Sequence, residues 1–380
     1  MKKILPIVLI LCLFLSGCHH NNSDFPSAPQ PSIPESTPVE HETTQPELDP
    51  TSENLYVQHP MYAVTLPVIS ELTHNEESTF TYQNIYLYCQ DQEVADRIII
   101  DFLNRQDAQR KIAETTNNTQ YDVLYQPMRI DSVVMSLYGE SLLHQSRNHP
   151  VIDCLSANYN MLSGETLTLG SILKDSSSHE MLQDALLFIA ETVADEKQLY
   201  DEYPQIIAER FTKNPSFDEA WFFSSTGLCF YFEPYEIAPY ISGVVTLEIP
   251  YDRLTSIIDA SYFPAEEDAF EGNIIAENVD NVVLSNYSQI AEVRLNGYAN
   301  AVFLHCEGFV RDVKIEIAND KNPTSECTIF ASASLSPGDG IMLMYDQTDD
   351  MPILRITCRS GQSIFVKNLF FAVDGSIVLT

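Results

Sequence analysis

The chain has 380 residues, 20 Lys and Arg against 54 Asp and Glu, and a formal net charge of −34. That balance excludes nucleic acid as a partner, because phosphate binding needs a basic surface. It favours basic partners through long-range steering that salt weakens, and it also serves plain solubility outside the cell.

Met1-Lys2-Lys3 is a basic start, and Ile4 to Phe14 is an apolar run interrupted only by Pro6. The run is too short for a membrane span and reads as a signal peptide over residues 1–17. Leu15-Ser16-Gly17-Cys18 resembles a bacterial lipobox, with small residues ahead of a cysteine that would carry the lipid. The plainer alternative is an ordinary cleavage site with a chance cysteine. Removal of the signal takes Lys2 and Lys3 with it and moves the charge from −34 to −36.

Residues 18–60 read as a tether. From His19 to Pro60 there are eight prolines, seven acids, no Lys or Arg and no Gly. Such a composition buries too little apolar surface to offset chain entropy, and its prolines favour an extended form reaching on the order of 100 Å. His19, His20 and His41 read as solvated tether residues rather than a metal tract.

Residues 61–263 read as an α+β domain. Tyr82 to Tyr88 alternates as a strand with Ile85 and Leu87 inward. Asp91 caps a helix on which Val94, Ile98 and Phe102 recur every fourth residue, with Ile99 and Leu103 beside them and Asn117-Asn118 as its break. Ser132 to Tyr138 and Val151 to Tyr159 are further strands, followed by a Ser163-Gly164 turn and a Leu167/Leu169 strand. Ser177-x-x-Glu180 has the form of a capping box, opening a helix with Leu182, Leu186, Ile189 and Val193 on one face. Pro204 lies in a second helical region. The order predicts an antiparallel sheet with two main helices on one face.

Trp221 to Tyr251 organises this domain. Trp221 to Phe223 is a strand, Ser224 to Gly227 a turn, and Leu228, Phe230 and Phe232 alternate with Cys229 and Tyr231 in the return. Glu233 to Tyr240 cannot be interior strand, because Pro234 and Pro239 each remove an amide donor. Val245, Leu247 and Ile249 then form the inward set of another strand.

This stretch, with its F-x-P-Y-E-I-A-P-Y core and I-P-Y ending, resembles the extracytoplasmic domain of unknown function of the anti-sigma factor RsiV and the region preceding the deacetylase domain of PdaC. Asn158 to Leu169 resembles the hairpin that precedes the family's helix, and the likeness spans roughly residues 62–263. The family's Gly-Gly-Ala-His loop is replaced by Gln145 to Pro150, which keeps His149 and loses the glycines. The resemblance implies an extracytoplasmic binding domain whose partner is lysozyme or another basic muramidase. The metal-binding motifs of the PdaC deacetylase have no counterpart, and no cytoplasmic region precedes the lipobox as an anti-sigma factor would require.

Residues 264–273, acidic and bounded by proline and glycine, read as a linker. Beyond it, short alternating runs recur about every ten residues. They are Val282–Leu284, Ala291–Leu295, Val302–Cys306, Val310–Ile317, Cys327–Ala331, Ile341–Tyr345, Ile353–Cys358, Ile364–Phe371 and Ile377–Leu379. Residues 274–380 are therefore read as an all-β, sandwich-like C-terminal domain.

Chemistry-bearing motifs are sparse. Nucleophile elbow, P-loop, zincin and dinucleotide signatures are missing, so no catalysis, cofactor or metal is expected. After Cys12 and Cys18, three cysteines fall in each domain without a C-x-x-C pair, as suits buried small hydrophobes. His144 and His149 lack a third ligand, and Asp346, Asp349 and Asp350 lack calcium-loop spacing. Glu233 and Glu236 could pair for acid–base work or lie on a solvated loop edge. Tyr235 and Tyr240, on a proline-stiffened loop, are candidate recognition residues or sheet-edge core; Glu233, Glu236 and His149 complete the candidate set. Three classes stay open: a lipoprotein, anchored at Cys18 to the outer face of the cell membrane, that binds a protein or peptidoglycan; a glycan-modifying enzyme; and a structural envelope protein.

Overall fold

The structure, a computed structural model, describes residues 60–73, 78–115, 120–144, 150–212, 219–265, 271–318, 327–348, 351–372 and 376–380. The signal peptide, Cys18, the tether through residue 59, His149, Asp349 and Asp350 lie outside the described residues. Residues Tyr56–Thr380 make up one of the chain's two compact units.

The first strands are β1 (Ala63–Thr65), β2 (Val68–Leu72), β3 (Thr79–Gln83) and β4 (Tyr86–Tyr88). The single strand expected over Tyr82 to Tyr88 is thus divided. At the break the Asn84 N–H donates to the Pro67 carbonyl at 3.0 Å, and the chain passes from one sheet to another. Ile85 and Leu87 are buried as the alternation requires.

Helix α1 (Gln92–Thr115) begins where expected. Asp91 Oδ1 accepts from the Glu93 N–H at 2.8 Å, satisfying one of the first-turn donors. Val94, Ile98 and Phe102 form its buried stripe and face β3 to β5. Strands β5 (Gln120–Ile130), β6 (Val134–His144) and β7 (Val151–Asn160) complete a five-stranded sheet of order β2-β3-β5-β6-β7. It is antiparallel except where β3 pairs with β5. Pro127 masked β5 in the sequence; the ladder shifts register between Pro127 and Arg129 and so passes the missing amide.

Leu169 opens the short helix α2 (Leu169–Ile172) instead of lying in a strand, and only Thr166 makes a bridge, to Tyr159. The capping box belongs to this helix, between Thr168 and Ser171. In α3 (Ser178–Lys197) Ser177 has helical backbone angles and makes no side-chain cap. Asp175 supplies it: its Oδ1 accepts from the Ser177 and Ser178 N–H groups at 2.9 and 3.0 Å. Leu182, Leu186 and Ala190 are the buried face of α3, and α4 (Tyr203–Thr212) packs beside it.

Strands β8 (Trp221–Phe223), β9 (Gly227–Phe232) and β10 (Val245–Pro250) form a three-stranded antiparallel sheet, followed by the turn of helix α5 (Tyr251–Leu254). All six residues of β9 are buried. The alternation of Leu228, Phe230 and Phe232 with Cys229 and Tyr231 therefore separates two covered faces. Helix α3 packs on β10, and β8 rests against β5, β6 and β7. A buried polar stitch joins those layers: Ser136 Oγ donates to Asn158 Oδ1, Asn158 Nδ2 donates to the Trp221 carbonyl at 2.9 Å, and the Phe223 N–H donates to Ser136 Oγ at 2.8 Å.

The C-terminal strands are β11 (Gly272–Asn278), β12 (Gln289–Arg294), β13 (Asn300–Gly308), β14 (Val310–Ala318), β15 (Cys327–Leu335), β16 (Asp339–Tyr345), β17 (Ile353–Ser360), β18 (Ser363–Phe371) and β19 (Ile377–Leu379). Two facing sheets enclose a core that includes Phe330, Leu343, Leu354 and Ile356. Their orders are β11-β13-β16-β12 and β19-β18-β17-β14-β15-β1-β4. Two sequence expectations give way here. Val282 and Val283 link two 3-10 turns and Leu284 opens the second, and β11 begins inside the expected linker.

The larger sheet also crosses the domain boundary drawn from sequence. Ala63, Val64 and Thr65 of β1 pair with Ser332, Ala331 and Phe330 of β15. Gln83 of β3 reaches the same strand, its Nε2 donating to the Thr328 carbonyl at 3.4 Å while its Oε1 accepts from the Tyr125 N–H at 2.6 Å. The fold is α+β with a β-rich C-terminal region. Among the described residues, no helix is long and apolar enough to cross a membrane.

Candidate recognition face

The loop from Glu233 to Ser242 leaves β9 and returns into β10 across the end of the three-stranded sheet. It is pinned from below: Ile237 and Ala238 are buried in the core, and the Tyr200 N–H donates to the Ile237 carbonyl at 2.8 Å. It closes in a turn, the Ser242 N–H donating to the Pro239 carbonyl at 2.9 Å, and Ser242 Oγ donates to the Lys197 carbonyl at 3.2 Å. Two buried residues between two prolines leave the loop little freedom.

Tyr235 stands out of this frame. It is 68% exposed, and its backbone φ of 72° is in the left-handed region that disfavours side chains with a Cβ. Its ring lies 5.3 Å from that of Tyr240, tilted by 33°. Tyr240 is half-buried and its hydroxyl donates to the Pro150 carbonyl at 3.4 Å. Ile241 beside it is 88% exposed. A cleft of about 380 Å³ adjoins it, lined by Glu196, Lys197, Gln198, Ile241, Ser242 and Val244 among others.

The two glutamates have separate duties. Glu236 is bound through both carboxylate oxygens by Nε and Nη2 of Arg210, which also lies 5.3 Å over the Phe232 ring. Its Oε2 accepts from the Glu233 N–H at 3.0 Å as well, closing the turn. Glu233 Oε1 accepts from the Cys154 N–H at 3.3 Å. Burial pushes the Glu233 carboxyl above its usual range and outweighs that hydrogen bond; Asp153 and Glu236 nearby push the same way. Glu236 is thus engaged within the chain rather than facing a partner, and the pair does not present two free carboxylates to one point.

The sequence brought Tyr235, Tyr240, Glu233 and Glu236 together because they share one short loop. It missed Arg210, which stands 26 residues before Glu236 and left no local signal. It also missed Ile241 and Gln198; the latter ends α3 with a φ of 54°. The loop containing His149 lies outside the described residues. His144 ends β6 with Nε2 3.4 Å from Asp122 Oδ2. Asp346 caps a turn, accepting from the Tyr298 and Ala299 N–H groups at 2.9 Å each. Among the described residues, no group of three or more His, Cys, Asp or Glu is placed to hold a metal ion. Cys154, Cys229, Cys306, Cys327 and Cys358 are buried and Cys89 is half-buried, in keeping with small hydrophobes.

Residues 172–252 match DUF3298, a family of unknown function. The match runs from the end of α2 into the first residues of α5 and so contains the whole Glu233–Ser242 loop. No curated protein matches the sequence. Two crystal structures are similar to this chain. A DUF3298 family protein from Pseudomonas aeruginosa PAO1 shares 15% identity, covers 53% of this chain and 97% of its own, and has a TM-score of 0.41. A member from Bacteroides fragilis NCTC 9343 shares 15% identity, covers 53% and 95%, and has a TM-score of 0.38.

Proposed function

We propose that this chain is an extracytoplasmic binding protein, held to the outer face of the cell membrane by a lipid on Cys18, that captures a basic extracellular protein or a cell-wall ligand without catalysis of its own. The observation that carries this reading is Tyr235, an exposed aromatic ring kept in a disfavoured backbone conformation and set at a tilt beside the Tyr240 ring. Strain of this kind persists only where the surroundings enforce it, and it clusters at functional positions. A rigid tyrosine pair supplies contact area at little entropic cost. Exposed Asp153 and half-buried Glu233 flank the loop with negative charge, which complements a cationic partner. Lysozyme fits that description, as does the resemblance to RsiV; peptidoglycan is the alternative ligand.

The test is direct capture. The fragment Leu55–Thr380 is presented with lysozyme and, separately, with isolated peptidoglycan, and binding is followed across a salt series. Saturable binding to either that is lost in Tyr235→Ala supports the reading. Binding to neither, or binding indifferent to Tyr235, rejects it.

A second reading, a structural envelope protein, is favoured by the pairing of β1 with β15, which makes the two regions share one sheet. It predicts a stable chain with no saturable ligand in the same assay.

A further inference from the structure

The larger C-terminal sheet turns Ile315, Leu354, Ile356 and Leu369 into the core. The register of β14, β17 and β18 sets what stands on the opposite face. Arg311 of β14 lies opposite Arg359 of β17, which lies opposite Ile364 of β18. The next row is Lys314, Thr357 and Val366, and the third is Glu316, Arg355 and Asn368. Of the chain's 20 Lys and Arg, set against 54 Asp and Glu, Arg311, Lys314, Arg355 and Arg359 thus share one sheet face. Solubility is served by acids elsewhere on the chain and does not account for this clustering.

A distortion of β14 brings the cations together. Arg311 and Lys314 are three residues apart, and a regular strand would turn them to opposite faces. The register with β17 shifts between them, and Asp312 in that break has a φ of 48°, in the left-handed region. Both side chains come to the same side as a result. Two arginines directly opposite one another repel. Asp312 relieves part of this, its Oδ2 lying 3.5 Å from Arg359 Nε. Burial pulls the Lys314 ammonium below its usual range, and Glu316 and Asp312 nearby offset only part of that. Along β18 and β19 the same face turns apolar. Ile364 and Val366 are 66% and 56% exposed, and exposed Phe370 lies opposite exposed Val378.

We propose that this face docks the protein on the surface of a phospholipid bilayer with anionic headgroups. The cations of β14 and β17 meet the headgroup phosphates, and the apolar column of β18 and β19 enters the interfacial layer. Charge complementarity and buried apolar area add in such binding. A bilayer engages both columns at once, whereas a soluble anion would use the cations and leave the apolar column in water. The net negative charge of the chain opposes the approach. At physiological ionic strength that opposition fades within about 8 Å, so the residues facing the bilayer decide. This face belongs to a different sheet from the Tyr235 loop, and the proposal stands without a lipid on Cys18.

The test floats residues 18–380 carrying Cys18→Ser, the chain without signal or lipid, with vesicles of phosphatidylcholine alone or mixed equally with phosphatidylglycerol. Melting is measured on every variant. The chain should float with the mixed vesicles only, and less as salt is raised. Lys314→Gln and Arg355→Gln should each lower the partition coefficient about fivefold, the worth of one cation at an anionic surface. Arg355→Lys should keep it. Ile364→Ser with Val366→Ser should lower it about tenfold or more. Arg97→Gln, at an exposed cation of α1, should leave it unchanged. The proposal is overturned by no flotation with the mixed vesicles or by equal flotation with phosphatidylcholine alone. It is also overturned if Arg355→Gln or the serine pair, in a folded chain, leaves the partition unchanged. Soluble polyphosphate bound as tightly, whatever the state of the serine pair, overturns it too, since the ligand would then be an anionic polymer.

Discussion

Arg210 grips both carboxylate oxygens of Glu236 from the last turn of α4, and each side chain retains only about a fifth of its exposure, 20% and 19%. The pair anchors the Glu233–Ser242 loop to the helical layer from below while Tyr235 projects above. Removing one member leaves the other charge largely desolvated, which is far costlier than losing an exposed pair. Glu236→Ala should therefore destabilise the fold by about 2 to 3 kcal/mol, less than a fully buried pair because of the residual exposure. Urea unfolding measures it, and the joint replacement Arg210→Met with Glu236→Leu should recover most of the loss.

Tyr235 and the core beneath it separate in one experiment. Tyr235→Gly relieves the left-handed backbone, so the melting temperature should hold or rise. Loss of an anchoring ring should nevertheless weaken capture by about 2 kcal/mol or more. Lost stability with unchanged capture would make Tyr235 a structural residue.

Glu233 gives a pH dependence of defined sign. Burial raises its folded pKa above the ordinary 4.5, so the folded chain holds that proton to higher pH than the unfolded chain. Its contribution to stability is fully present below the unfolded value and is lost as pH rises through the raised folded value. Glu233→Gln keeps the oxygen that accepts from Cys154 and removes the charge. The variant should melt higher than the parent at pH 7, with the difference vanishing toward pH 4.

Asn158 holds two layers together, accepting from Ser136 and donating to Trp221 in a buried setting. Asn158→Ala strands both groups, and an unpaired buried group costs about 1 to 3 kcal/mol. The expected loss is about 3 kcal/mol, read by thermal or urea unfolding. Asn160→Ala, at a turn near the surface, is the comparison and should lose about 1 kcal/mol or less.

The shared sheet makes a prediction about cleavage. A protease site placed within residues 266–270 should yield two fragments that co-elute on size exclusion, because β1 and β4 remain paired into the C-terminal sheet. Residues 271–380 produced alone lack both strands and should aggregate through the uncovered β15 edge. Independent elution of a folded C-terminal fragment would show two self-sufficient domains.

The sequence by itself determined the local elements with strong periodicity. The Val94, Ile98 and Phe102 stripe announced α1, Asp91 marked its start, and alternation announced most C-terminal strands close to their observed ends. It also gathered Glu233, Glu236, Tyr235 and Tyr240 in one proline-stiffened loop. Each of these rests on residues within a few positions of one another, where backbone geometry alone fixes which side chains share a face. Where a local rule had a competitor, it failed: Pro127 hid β5, and Asp175 took the capping role from Ser177.

Only the tertiary structure decided what lies across from each face. Alternation in β9 reports two sides and is silent about whether one or both are covered; α3 and the five-stranded sheet, brought in by chain tens of residues away, cover both. The same holds for Arg210 at Glu236 and for β1 beside β15. Such contacts are selected by the packing of whole layers against loop-closure entropy, and no short window of sequence carries that balance.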